Sequence, residues 1–151
     1  MKKTIILVFS VALSVTASAQ IKKPAASPAQ EVEQTVGLTE VTLEYSRPHK
    51  KGREIFGGLV PFDKVWRTGA NKNTQITFSD DVEIGDKTLK AGTYAIFTKP
   101  GAETWEVMFY SDFSNWGTPA EWDASKVAAS VKVKSLELPM TMQSCTILFN
   151  D

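Results

Sequence analysis

Apolar residues recur at every second position in short runs through most of this chain: Val41, Leu43 and Tyr45, then Thr74, Ile76 and Phe78, then Trp105, Val107 and Phe109. A two-residue period puts one side of an extended chain against a core and the other toward water. The runs are broken at short intervals by Gly85-Asp86, Ala91-Gly92 and Pro100-Gly101-Ala102-Glu103, which read as hairpin turns. Helical spacing is scarce: Pro119–Lys126 has room for one turn, and Asp63 can cap a short turn leading into Trp66. The expected fold is therefore all-β, an antiparallel β-sandwich or open barrel of about seven to nine short strands. Val127, Ala129, Val131 and Val133 keep odd parity, whereas Leu136, Leu138 and Met140 are even, so a bulge or break is expected near Lys134-Ser135. Cys145, Ile147 and Phe149 form a last alternating face, expected to be a terminal strand.

The N-terminus has the marks of a secretory signal peptide over residues 1–19. Lys2 and Lys3 precede an apolar stretch from Ile5 to Val15, and Ala17-Ser18-Ala19 supplies small residues for cleavage before Gln20. The stretch is too short to span a bilayer, and no cysteine near the cut suggests a lipoprotein. The expectation is an exported protein, periplasmic or extracellular, with no transmembrane segment after cleavage. Residues 20–35 are rich in Pro, Ala, Ser and Lys at their start and read as a flexible linker, leaving 36–151 as one β-sandwich domain. Loss of Lys2 and Lys3 from a count of 17 basic and 17 acidic residues leaves a net charge of about −2, which offers no general attraction to nucleic acid. The single cysteine, Cys145, has no internal partner and reads as a small buried hydrophobe.

One segment fits neither period. Tyr45–Asn71, YSRPHKKGREIFGGLVPFDKVWRTGAN, packs arginines, lysines, the sole histidine, aromatics and glycines into one irregular run between strands. Long polar-aromatic loops on a rigid sheet are where binding groups concentrate. Arg47, Arg53 and Arg67 present forked donors suited to carboxylate or phosphate. Trp66 and Trp116 offer flat faces for a sugar or aromatic ring, and Asn71 can both donate and accept. These six are the candidate ligand-binding residues, for a small polar, anionic or carbohydrate-like ligand. Against this stand structural roles: Arg67 paired with Asp63, Asp81 or Glu83, Trp66 in the core, and Asn71 in a left-handed turn.

Enzymatic readings are weaker. One His and one Cys do not make a transition-metal site, and Asp80, Asp81, Glu83 and Asp86 lack EF-hand spacing, so neither metal nor cofactor is expected. Ser46 with His49 as base gives the alternative of a periplasmic hydrolase of unknown substrate, without a G-x-S-x-G elbow. A structural or protein-interaction module is the third reading, which expects an exposed apolar patch.

The motifs of this loop carry a resemblance. Tyr45-Ser46-Arg47-Pro48, Gly52-Arg53, Ile55-Phe56-Gly57, Leu59-Val60-Pro61 and Val65-Trp66-Arg67-Thr68-Gly69-Ala70-Asn71, with Ala91-Gly92-Thr93-Tyr94 and Trp116-Gly117, are similar to the domain-of-unknown-function family numbered 2911. The resemblance implies an exported bacterial protein with no established activity. Two departures stand out: Lys72 replaces the acidic residue usual after the Asn of that signature, and relatives tend to continue through another pair of strands, as if this chain were truncated.

Overall fold

The computed structural model describes residues 23–149, so residues 1–19, expected to be a signal peptide, lie outside the described residues. Eight strands form two antiparallel sheets. The larger has the order β1 (Ala29–Val36), β2 (Thr39–Ser46), β3 (Thr74–Phe78), β6 (Gly92–Pro100), β7 (Thr104–Tyr110) and β8 (Val127–Lys134). The smaller is the hairpin β4 (Val82–Ile84) and β5 (Lys87–Leu89), turned at Gly85-Asp86. β1 and β8 are the two edges of the large sheet, so the fold is open and sandwich-like rather than a closed barrel. No helix among the described residues is long and apolar enough to cross a membrane.

Strand parity builds two cores, one on each face. On the first face Val41 and Leu43 of β2 sit opposite Phe78 and Ile76 of β3, with Ile96, Phe109 and Ala129 continuing the layer. The hairpin closes this layer through Leu89, Val82 and Ile84, and the C-terminal Ile147 and Phe149 pack beside them. On the second face Ala95, Phe97, Met108 and Tyr110 are buried beneath Val65, Trp122 and Val127. β6 is buried on both sides, which explains its near-continuous apolar run through Ala95-Ile96-Phe97. Trp122 stacks on Tyr110 (4.7 Å, 29°), and Phe97 meets both rings edge-on at 5.3 and 5.5 Å.

Several sequence expectations change here. Residues 29–36, read as the end of a linker, form β1 in full register with β2, from Ala29↔Ser46 to Val36↔Thr39. Its only inward anchor of size is Val32 opposite Leu43, so backbone pairing rather than alternation makes this strand. The break expected near Lys134-Ser135 is the end of β8, and a register shift that the sequence did not signal lies opposite Phe109/Tyr110. That bulge moves Val127 to the second face while Ala129 stays on the first. Asp63 caps no helix. It takes a left-handed φ of 58°, and its backbone N–H donates to Pro100 O. The stretch from Met142 to Phe149 is not a strand. It is an extended segment joined to the chain around Pro48 by one bridge, His49↔Ser144.

The single 3-10 turn, Ala124–Lys126, is capped by Asp123, whose carboxylate accepts from Ser125 N at 2.9 Å. Before it, Asp112 accepts from Lys126 Nζ (2.8 Å) and from Ser114, clasping the loop that precedes the turn. Hydrogen bonds from Lys126 and Ser114 hold the Asp112 carboxyl well below the usual carboxylate range. A carboxyl lowered on folding stabilises the native state above its unfolded pKa and loses that effect as pH falls through the folded value. The stability gap between wild type and Asp112→Asn is therefore expected to be full above about pH 4 and to shrink steadily below it. Urea midpoints measured across that range check this, and a gap independent of pH would contradict it.

Candidate functional site

The Tyr45–Asn71 loop lies across one end of the sheet, and Trp66 is its main attachment. Trp66 N donates to Thr98 O (2.8 Å) and Thr98 N to Trp66 O (2.9 Å), so the loop extends the sheet beside β6. Thr68 adopts φ 57°, a strained conformation for a β-branched residue. It is held there by its hydroxyl on Thr98 Oγ1 (3.1 Å) and by Thr74 Oγ1 donating to Thr68 O (2.9 Å). A Cβ on Gly69 would lie 3.0 Å from Ser46 O, so glycine is required by the close approach of two backbones.

Above this anchor is a cleft of about 960 Å³. One wall is the loop from Pro48 to Val60, the opposite wall is the chain between Leu138 and Ile147, and Trp66 and Trp105 form the floor. Phe56 meets Trp105 at 4.6 Å and Trp66 at 5.8 Å, both edge-on, so three rings form one aromatic surface. Lys50, Arg53 and Glu54 supply charge at the rim, beside the polar ring of His49. Trp105 and the 138–147 segment were not among the sequence candidates, because contacts between segments some ninety residues apart leave no local signal.

The six sequence candidates do not form one cluster. Arg47 fastens the second wall: its Nε donates to Cys145 O (3.1 Å) and its Nη2 to Thr146 Oγ1 (3.0 Å). Tyr45 assists, its hydroxyl accepting from Ile147 N at 3.1 Å. Arg53 braces the first wall by donating from Nε to Lys50 O and from Nη2 to His49 O, which leaves Nη1 for the cleft. Arg53, Trp66 and Arg67 all contribute to the lining of the cleft, while the outer part of the Arg67 side chain lies against Gly117. Asn71 Nδ2 donates to Ser27 O (3.2 Å) and Ser46 Oγ (3.4 Å), tying the start of β1 to the end of β2. Trp116 is 75% exposed on the second-face loop, one residue from the Arg67 contact.

Catalytic candidates also resolve. Ser46 bonds to Asn71 rather than His49. His49 Nδ1 instead shares a 2.7 Å hydrogen bond with Ser144 Oγ at the rim of the cleft. The backbone bridge between these residues accounts for that contact, and no carboxylate among the described residues orients the other ring nitrogen. Cys145 lies partly buried beside them, and burial pushes its thiol pKa up against the opposing pull of Arg47, so it is a poor nucleophile. The acidic hairpin offers no metal cluster: Asp81 is taken by Lys90 at 2.7 Å, and no group of three His, Cys, Asp or Glu converges among the described residues. Leu136, Leu138 and Met140 are exposed along the chain after β8.

No curated protein and no solved structure matches this chain. The family model described as a protein of unknown function, DUF2911, matches residues 27–151, a span that takes in the six-stranded sheet, both walls of the cleft and the loop bearing Trp116. The chain belongs to the DUF2911 family.

Proposed function

We propose that this protein binds a small polar ligand with one flat, weakly polar face, a sugar ring above all, in the cleft over Trp66 and Trp105. The observation that carries the reading is the continuous surface of Phe56, Trp66 and Trp105 in a concavity of about 960 Å³. Small-molecule sites are typically clefts of about 300–1,000 Å³, lined by apolar and aromatic groups with a few fixed polar ones. Here the apolar floor takes the ring face, while His49, Lys50 and Arg53 favour a hydroxyl-rich or carboxylate-bearing edge. Both walls are braced by charged side chains bonded to backbone carbonyls, so little order has to be gained on binding.

The test is a fluorescence titration of the mature protein with neutral and uronic-acid oligosaccharides. Binding should change tryptophan emission in a saturable way. Trp105→Ala should raise Kd by about 30-fold, the loss of roughly 2 kcal/mol from a central aromatic anchor. Circular dichroism checks that the variant is folded. The reading fails if no sugar in the panel gives a saturable change, or if a folded Trp105→Ala binds as wild type does.

A further inference from the structure

We infer that Arg67 anchors a second binding site, on the opposite face of the sheet from the cleft, for a small carboxylate. The side chain leaves a short extended run in which Val65 packs into the second-face core and Trp66 points to the cleft. Arg67 therefore emerges on the second face, under the loop that crosses it between Phe113 and Gly117. None of its expected acidic partners is there. Among the described residues the ion pairs are Lys72–Glu44, Lys90–Asp81 and Lys126–Asp112, and Arg67 has no carboxylate within reach. Its Nε is sealed from solvent and has no hydrogen-bond acceptor. A guanidinium never loses its charge at physiological pH, so a partly buried one with no acceptor and no counter-charge is costly.

The surroundings say which edge of the group is available. Gly117 has φ 82°, and a Cβ there would lie 3.0 Å from Nη1 and 3.6 Å from Cδ of Arg67. Nη1 is the nitrogen on the same side as Cδ, so the loop packs on that side, and a ligand reaches the sealed Nε–Nη2 edge as the covering loop shifts to admit it. Those two parallel N–H groups match the two oxygens of a carboxylate. A water molecule in the same place would give Nε an acceptor but would leave the charge uncompensated.

A second orphan donor lies on the same face. Asn73 is 2% exposed, and its Nδ2 has no partner. Its Oδ1 accepts from Gln75 Nε2 (3.0 Å), and that same nitrogen donates to Phe113 O (2.7 Å), in the loop that covers Arg67. Arg67 and Asn73 are joined through the backbone as well, since Thr74 N donates to Arg67 O. Two unsatisfied buried donors beneath one covering loop are a rare combination in a folded protein. Trp116, exposed next to Gly117, would report on a change there.

The experiment compares malonate, acetate and inorganic phosphate with chloride at matched ionic strength, using thermal unfolding and Trp116 emission, with Trp116→Phe as the emission control. Wild type should show a saturable, malonate-dependent rise in Tm. Arg67→Met should lose that rise while unfolding in chloride at a Tm no lower than wild type, because an uncompensated charge has been removed. Gly117→Ala, which places a methyl group against Nη1, should raise the malonate midpoint at least tenfold. The proposal is overturned if wild type responds to malonate no more than to chloride, if it responds to phosphate but not malonate, or if a folded Arg67→Met keeps the response. Should Arg67→Met fail to fold, an unaltered malonate midpoint in Gly117→Ala overturns it equally. Sugar binding in the cleft is unaffected by any of these outcomes, because the two sites lie on opposite faces.

Discussion

Replacing Phe97 with alanine is expected to lower the unfolding free energy by about 3–5 kcal/mol, the range for deleting a buried aromatic ring. Phe97 is completely buried in the middle of β6, and its ring is held edge-on by Tyr110 and Trp122. Those neighbours cannot collapse into the space. Tyr110 is fixed by β7, and Trp122 is stacked on Tyr110 rather than on the backbone. The second-face core is also the smaller of the two, so one ring is a large share of it. Urea or guanidinium unfolding gives the number. A loss below about 1.5 kcal/mol would mean that Trp122 and its loop relax into the cavity, and that the second face is softer than its packing indicates.

The second large effect is expected at Arg47. Arg47→Met keeps an apolar stem but removes charged hydrogen bonds to Cys145 O and Thr146 Oγ1, at a loss of about 2–3 kcal/mol. The consequence is regional. Residues 143–149 should become sensitive to limited proteolysis under conditions where the sheet stays intact, since local opening follows the loss of the bonds that secure a segment. Sugar affinity should fall with it, because the second wall of the cleft is then no longer in place. If Arg47 instead contacted ligand directly, affinity would drop while stability and the proteolytic pattern stayed those of wild type. The two measurements together decide which role the arginine has.

How much of this was legible in the sequence depends on whether the physics was local. Val41, Leu43 and Tyr45, or Trp105, Val107 and Phe109, declare their faces by alternation, and Gly85 declares a turn by the positive φ it adopts. β1 was illegible because its alternation is poor and its stability comes from pairing with a stronger neighbour. The Cys145, Ile147 and Phe149 alternation is genuine. Yet Arg47 and Tyr45 side chains satisfy that segment where a strand partner would have been needed, so alternation alone overstated it. For the site, the Tyr45–Asn71 loop stands out in the sequence by its composition. Its residues then divide between scaffold and surface in a way that composition does not reveal. Thr68, Gly69 and Asn71 hold the loop to the sheet, Trp66 opens onto one face and Arg67 onto the other.

The cleft has walls drawn from widely separated parts of the chain, Pro48–Val60 on one side and Leu138–Ile147 on the other. A ribosome releases the first wall before the second. All eight strands, through Lys134, can leave the exit tunnel before any residue of the closing wall does. If the cleft binds a sugar as proposed, binding needs both walls, and in a stalled-synthesis series it should switch on only after the residues that meet Arg47 and Tyr45 have emerged.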